Sequence, residues 1–207
     1  MRFDRIVWLA TVSVAAAGLL AELGDYLLRA SEPWVEAFSL SYEGNLPTWY
    51  ASSLLLLCGL RIGELGARVP MHGSRWRVLS GVFVFMSLDE AIEIHEHLAG
   101  VIPSSDISWL HFSWVIPASI FVALFGLVMW PMVRELPLGV KRRFVAAAVL
   151  YVGGALCMEL PLGYVADRFG DDNLLYGCVD WLEEALELTG ATLFLVSLGA
   201  YGRTFDD

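Results

Sequence analysis

Two near-identical acidic heptapeptides lie inside runs that are otherwise apolar enough to cross a bilayer. They are Leu88-Asp89-Glu90-Ala91-Ile92-Glu93-Ile94 and Leu182-Glu183-Glu184-Ala185-Leu186-Glu187-Leu188. Each brings three carboxylates with no Lys or Arg beside them. A charge at bilayer depth costs at least about 2.5–3.5 kcal/mol even on the lenient insertion scale. A fold that accepts this sequence must gather these groups away from lipid and supply them with protons or cations.

The rest of the composition agrees with a membrane setting. Hydrophobic residues make up 57% of the 207 and charged residues 17%, whereas soluble domains carry about 25% charged residues. Mean hydropathy is +0.61. A span needs about 20 mostly apolar residues, and six segments qualify: 6–28, 47–67, 76–97, 109–132, 142–165 and 174–201. The third and sixth carry the acidic motifs, which lowers their hydropathy. Four strong spans with two buried amphipathic helices are an alternative. Six fits better because the connections then alternate in charge. The expected fold is an all-α integral membrane protein of six transmembrane helices in one compact bundle, a single domain over residues 1–207.

Arg2 and Arg5 precede the first segment. Arg68, Arg75 and Arg77 fill the second connection, Arg134, Lys141, Arg142 and Arg143 the fourth, and Arg203 the tail. The first connection sets Arg29 against Glu32, Glu36 and Glu43. The third, around Asp106, has no Lys or Arg, and the fifth sets Arg168 against Asp167, Asp171 and Asp172. The positive-inside rule then places both termini in the cytoplasm, of a multi-pass protein in a bacterial or archaeal inner or plasma membrane. The run from Ile6 to Ala21 behind two arginines resembles a signal peptide, but it continues through Glu22 and Asp25 into Tyr26-Leu27-Leu28 and reads as a retained first span.

Several functions are excluded. No basic patch with interleaved aromatics favours nucleic acid. The single lysine, Lys141, lies at a cytoplasmic helix start, which argues against Schiff-base chemistry. No Gly-x-Ser-x-Gly elbow, phosphate loop or His-Glu-x-x-His motif occurs. Cys58, Cys157 and Cys178 read as packing residues, with a Cys157–Cys178 disulfide open if the last two spans are neighbours. Trp8, Trp49, Trp76, Trp109 and Trp130 fall near span ends, as interfacial residues do. The connection 29–46, with Pro33, Trp34, Phe38 and Tyr42, suits a short amphipathic helix on the outer surface. Gly59 and Gly63, and Gly153 and Gly154, suit close helix packing, and Arg61 and Glu64 are spaced to pair. Pro117 and Pro161 interrupt their spans. Pro161 would free the carbonyl of Cys157 beside Glu159, giving either a kink or an irregular backbone that lines a site.

With alternating spans, Glu22 and Asp25, Asp89 to His97, His111, Glu159 and Asp180 to Glu187 share one depth in the outer half of the membrane. At about 100° per residue, Asp89, Glu93, Glu96 and His97 form one stripe. Glu90 falls at its edge and His95 points elsewhere. In the last span Asp180, Glu183, Glu184 and Glu187 share a face. Facing stripes would make a carboxylate cage holding a divalent metal. Its expected ligands are Asp89, Glu90, Glu93, Glu96, His97, Glu159, Glu183, Glu184 and Glu187. Glu22, Asp25, His95, His111 and Asp180 are secondary candidates, Glu22 and Asp25 also being placed to reach headgroups or Arg29. Oxygen ligands suit Mg²⁺, Ca²⁺ or Mn²⁺, and added imidazole suits Fe or Zn, so Fe, Mn or Zn is the expected cofactor. Soluble di-iron bundles use Glu and Glu-x-x-His pairs. This chain has Glu93-x-x-Glu96 and Glu184-x-x-Glu187 instead, so only ligand type and helix placement are shared.

The sequence thus favours a membrane metalloenzyme, an oxidoreductase or hydrolase acting on a lipid, quinone or other apolar small molecule, with the metal activating water or oxygen. The alternatives are a cation or proton-coupled transporter, to which the repeated motif adds a hint of an inverted three-span duplication, and a non-catalytic sensor or partner subunit. The partners expected are membrane lipids and either an apolar substrate or a transported cation.

Overall fold

Helix is the only regular structure among the described residues of the computed structural model, which are 2–28, 33–69, 71–94 and 114–206. In chain order the helices are α1 (Arg2–Leu28), α2 (Pro33–Phe38), α3 (Leu46–Arg68), α4 (Gly73–Ile92) and α5 (Val115–Glu135). They continue with α6 (Leu138–Phe169) and α7 (Leu174–Gly202), which ends in a 3-10 turn over Arg203–Phe205. Local signals set several boundaries. The Asn45 side chain accepts from the Thr48 N–H, with Pro47 in the first turn of α3, and Asn173 accepts from Tyr176 N–H at the start of α7. Both satisfy amides that a helix start leaves without intrahelical partners. Gly170 stops α6 at φ 81°.

Four of these helices, Arg2–Leu27, Val115–Glu135, Leu138–Phe169 and Leu174–Phe205, are long and apolar enough to cross a membrane. The six segments expected from sequence each correspond to a helix. The third stops earlier than expected, at Ile92. The connection 29–46 contains the short α2, as its aromatic pattern predicts.

Side-chain contacts give the bundle two chemically distinct ends. At one, Arg203 pairs with Asp4 at 3.4 Å, Arg68 with Asp206 at 2.8 Å, and His72 with Glu135 at 2.9 Å. Arg75 Nε donates to the Val128 carbonyl at 3.0 Å and Lys141 Nζ to the Arg134 carbonyl at 2.6 Å. These contacts join the starts of α1, α4 and α6 to the ends of α3, α5 and α7, so consecutive long helices run in opposite directions. We call this the basic end, and the other the acidic end. The expected Arg61–Glu64 pair is present at 2.6 Å near the basic end.

Helix α7 is the central pillar. Half of its apolar stretch is buried, against 17% for α5. Its Phe194, Leu195, Leu198 and Tyr201 pack on α3, α4 and α6, with Phe194 4.8 Å from Phe144 and 5.0 Å from Phe83. Helix α5 instead turns Ile120, Phe121, Leu124, Leu127 and Val128 outward. Contiguous apolar surface of that kind suits lipid contact better than water. Small residues let α3 and α4 approach closely. A side chain on Gly59 would sit 2.9 Å from Val84 and 3.2 Å from its backbone nitrogen, and the Ser80 hydroxyl donates to the Gly59 carbonyl at 2.8 Å. The three cysteines are free, so the disulfide left open by the sequence is not formed.

One buried polar knot ties α1, α3 and α7 together. Thr11 Oγ1 lies 2.7 Å from the Tyr50 hydroxyl and 2.6 Å from Thr192 Oγ1, and donates to the Val7 carbonyl at 3.0 Å. Replacing Thr11 by Val keeps the shape but takes one partner from each of the Tyr50 and Thr192 hydroxyls, of which Tyr50 keeps the Val7 carbonyl at 3.2 Å. A hydrogen bond of this kind contributes about 0.5–1.5 kcal/mol. Chemical unfolding in detergent is expected to register a loss of about that size for Thr11→Val, and an unchanged midpoint would show that the knot carries no stability.

Candidate carboxylate site

The acidic motif of α7 supplies the centre. Asp180, Glu183, Glu184 and Glu187 recur three or four residues apart and so share one helical face. Glu183 has Glu159, Glu187 and Asp180 as its charged neighbours, and Glu184 has Glu187, Glu90, Asp180 and Glu183. No Lys, Arg or His enters the charged surroundings of Asp180, Glu183 or Glu184 among the described residues. Glu183 is 8% exposed, and its Oε2 is buried with no hydrogen-bond partner.

The wall opposite Glu183 is an irregular turn of α6. Residues Gly153–Met158 wind as a π-helix directly before Glu159. Pro161 explains this: it has no N–H to give Cys157, and its ring crowds that carbonyl, so the turn widens. Of the kink and the irregular backbone left open at Pro161, the wide turn is the irregular backbone. Gly154 lets this wide turn lie directly on α7. A side chain there would meet the Glu183 carbonyl oxygen at 2.7 Å and Glu187 Cγ at 2.9 Å. One turn towards the basic end, Tyr151 hydrogen-bonds the side chain of Glu187.

Towards the acidic end the network continues through α1 and the loop after α2. Glu22 is buried at 3% exposure. Its Oε1 accepts from the hydroxyls of Ser39 and, at 3.0 Å, Ser41. Ser41 also hydrogen-bonds Asp180. Glu22 is thus held inside the bundle by serines rather than at the surface. Beyond it, Tyr42 lies in a loop outside the long helices. Burial pushes its phenol above the ordinary range, and Asp25, Glu22, Glu36 and Asp172 push it further. That effect reports an electronegative rim at the acidic end.

Helix α4 meets the cluster differently from the stripe expected in the sequence. The helix ends at Ile92, and Glu93 takes a left-handed conformation at φ 57°, its N–H bonded to the Asp89 carbonyl. Of the expected stripe Asp89, Glu93, Glu96 and His97, only Asp89 and Glu93 lie among the described residues, and Glu93 follows the last residue of α4. Glu90, placed at the stripe's edge by sequence, is the α4 carboxylate that lines a cleft with Glu184. Asp89 and Glu93 are half-buried and lie outside the lining of that cleft. Glu96, His97, His95 and His111 fall outside the described residues. Among those described, no group of three or more His, Cys, Asp or Glu side chains is arranged to hold a metal ion.

The structure thus brings together Glu90, Glu159, Asp180, Glu183, Glu184, Glu187 and, through serines, Glu22. Sequence reasoning missed Tyr151, Ser39 and Ser41. Tyr151 sits in an apolar run, so only its phenol could have marked it. The serines lie in a loop whose fold back onto α1 leaves no local signal. The chain matches the family described as Domain of unknown function (DUF8692) over residues 6–201. No curated protein and no solved structure matches it.

Proposed function

The chain belongs to the DUF8692 family, and we propose that it is a six-span integral membrane protein that exchanges protons for a cation at this carboxylate cluster. Helices α3 and α4 complete the count of spans. At 23 and 20 residues they reach about 30 Å or more at 1.5 Å per residue, the thickness of the hydrocarbon core. The gathering of the arginine-rich connections at one end supports cytoplasmic termini and a cluster on the outer side of the midplane.

The observation that carries the reading is Glu183, a carboxyl buried among other carboxyls with one oxygen left without a hydrogen bond. Carboxylates crowded in a low dielectric cannot all ionise, so some hold protons until a cation replaces them. Intramembrane carboxylates of this kind mark ion and proton paths.

The test uses vesicles reconstituted with the full protein and a pH dye inside. Na⁺, K⁺, Mg²⁺, Mn²⁺ and Zn²⁺ are added outside in turn. At least one should drive protons outward, and Glu183→Gln should abolish that movement. Proton movement with none of the five, together with stoichiometric Fe, Mn or Zn in protein purified without added metal and loss of that metal in an Asp89→Ala/Glu187→Ala variant, would overturn exchange in favour of a metal centre.

A further inference from the structure

We propose that the cleft between α3, α4 and α7 is the aqueous route by which protons from the acidic end reach Glu187 and Tyr151 at its floor. This rests on the exchange reading and adds the route to it. Two adjoining cavities share Ala51, Glu90, Glu184 and Leu188. The outer one is lined by exposed Glu43 and buried Thr48, at the start of α3, and the inner one by Leu55, Tyr151 and Glu187. Each has room for about one water molecule. That suits a file of single waters. Water in such a place needs two to four polar partners, and Glu90 and Glu184 line both cavities.

The sequence of α3 builds the wall. Thr48, Ala51, Leu55 and Cys58 follow at spacings of three and four, one stripe of a helix. Thr48 supplies a hydroxyl to the outer cavity, and small Ala51 lines both cavities. Cys58 closes the stripe, fully buried with its thiol 3.5 Å from the Ala191 carbonyl. Below the floor α6 and α7 pack too closely for water. A side chain on Gly190 would lie 2.6 Å from the Tyr151 nitrogen. The route is thus open to the acidic end and shut to the basic end. A proton carried by cleft water passes to a Glu187 oxygen, and the water it leaves takes the next proton from the acidic end.

Thiol reactivity tests the route. In a chain with Cys157→Ala and Cys178→Ala, the single variants Thr48→Cys, Ala51→Cys and Leu55→Cys are exposed to a small charged thiol reagent added at the acidic side of vesicles. Thr48→Cys and Ala51→Cys, which line the outer cavity, should react faster than Leu55→Cys. Ala51→Cys should react at least about tenfold faster than the buried native Cys58, since thiol reactivity follows access. Labelling of Ala51→Cys only from the basic side, or an Ala51→Cys as inert as Cys58 beside a reactive Thr48→Cys, would overturn the route. A second measurement does not depend on cysteine. Transfer to D₂O should shift the infrared carboxylic-acid band, and Ala51→Leu should slow that shift at least about tenfold by filling the cavities. An unslowed shift in Ala51→Leu overturns the route alone. Absence of the band from the parent protein overturns the exchange reading instead.

Discussion

Glu183→Met is expected to stabilise the fold by about 1–3 kcal/mol and to abolish exchange. A buried polar atom with no partner carries its full desolvation penalty, about 1–3 kcal/mol, and an apolar group of the same shape removes that penalty. Glu183 meets the conditions, being 8% exposed with Oε2 unbonded. It also lies among Glu159, Glu187 and Asp180, so replacing it removes like-charge crowding too. Reversible unfolding in mixed detergent, read beside Glu183→Gln, measures the gain. Stabilisation with loss of exchange would mark Glu183 as a group kept for its proton at a cost in stability. A loss of about 1–3 kcal/mol would show that the residue has a bonding partner, and the proton-holding role would fall.

The second large effect concerns the π turn of α6. Gly154→Val is expected to cost about 1–3 kcal/mol, as overpacking does in close-packed interiors. The added atoms would press on the Glu183 carbonyl at 2.7 Å and Glu187 Cγ at 2.9 Å. The first is a backbone atom and the second a mid-chain carbon, and neither yields as freely as a side-chain tip. The same change should push α6 from α7, part Tyr151 from Glu187, and slow exchange. The neighbouring glycine is the control. Nothing lies within 4 Å of a side chain on Gly153, so Gly153→Ala should be neutral or gain up to about 1 kcal/mol from reduced chain entropy. Equal effects at both positions would mean that the close contact of α6 with α7 does not set the site.

How far the sequence reaches is clearest at the helix ends. The last helix begins where expected because Asn173 caps it, a signal a single residue carries. The third overshoots because nothing between Ile92 and His97 is a glycine or proline. Glu93 nevertheless adopts a left-handed conformation, a state that a non-glycine residue enters only when its surroundings hold it there. That single residue ends the regular helix on which Asp89 and Glu90 lie. The sharing of one end by the acids of α1, α6 and α7 was legible, because alternating helix direction follows from the charges of the connections. Which carboxylates touch was not, because rotation about each helix axis is set by packing. The contact of Gly154 with α7 and the widening caused by Pro161 turn Glu159 and Tyr151 toward Glu183 and Glu187. Pro161 marked a break that could be a kink or an irregular backbone, and which of the two, and what it faces, could be found only in three dimensions.

The most direct measurement is the infrared spectrum of the protein in lipid at neutral pH, in H₂O and D₂O, beside Glu183→Gln. A carboxylic-acid carbonyl band that shifts in D₂O and shrinks in the variant is the predicted result, since the account requires the buried cluster to hold protons where an exposed carboxylate would have lost them. A parent spectrum with only ionised carboxylate bands, unchanged in the variant, would contradict it: the cluster would then be neutralised by something other than protons, and the exchange of protons for a cation would be wrong.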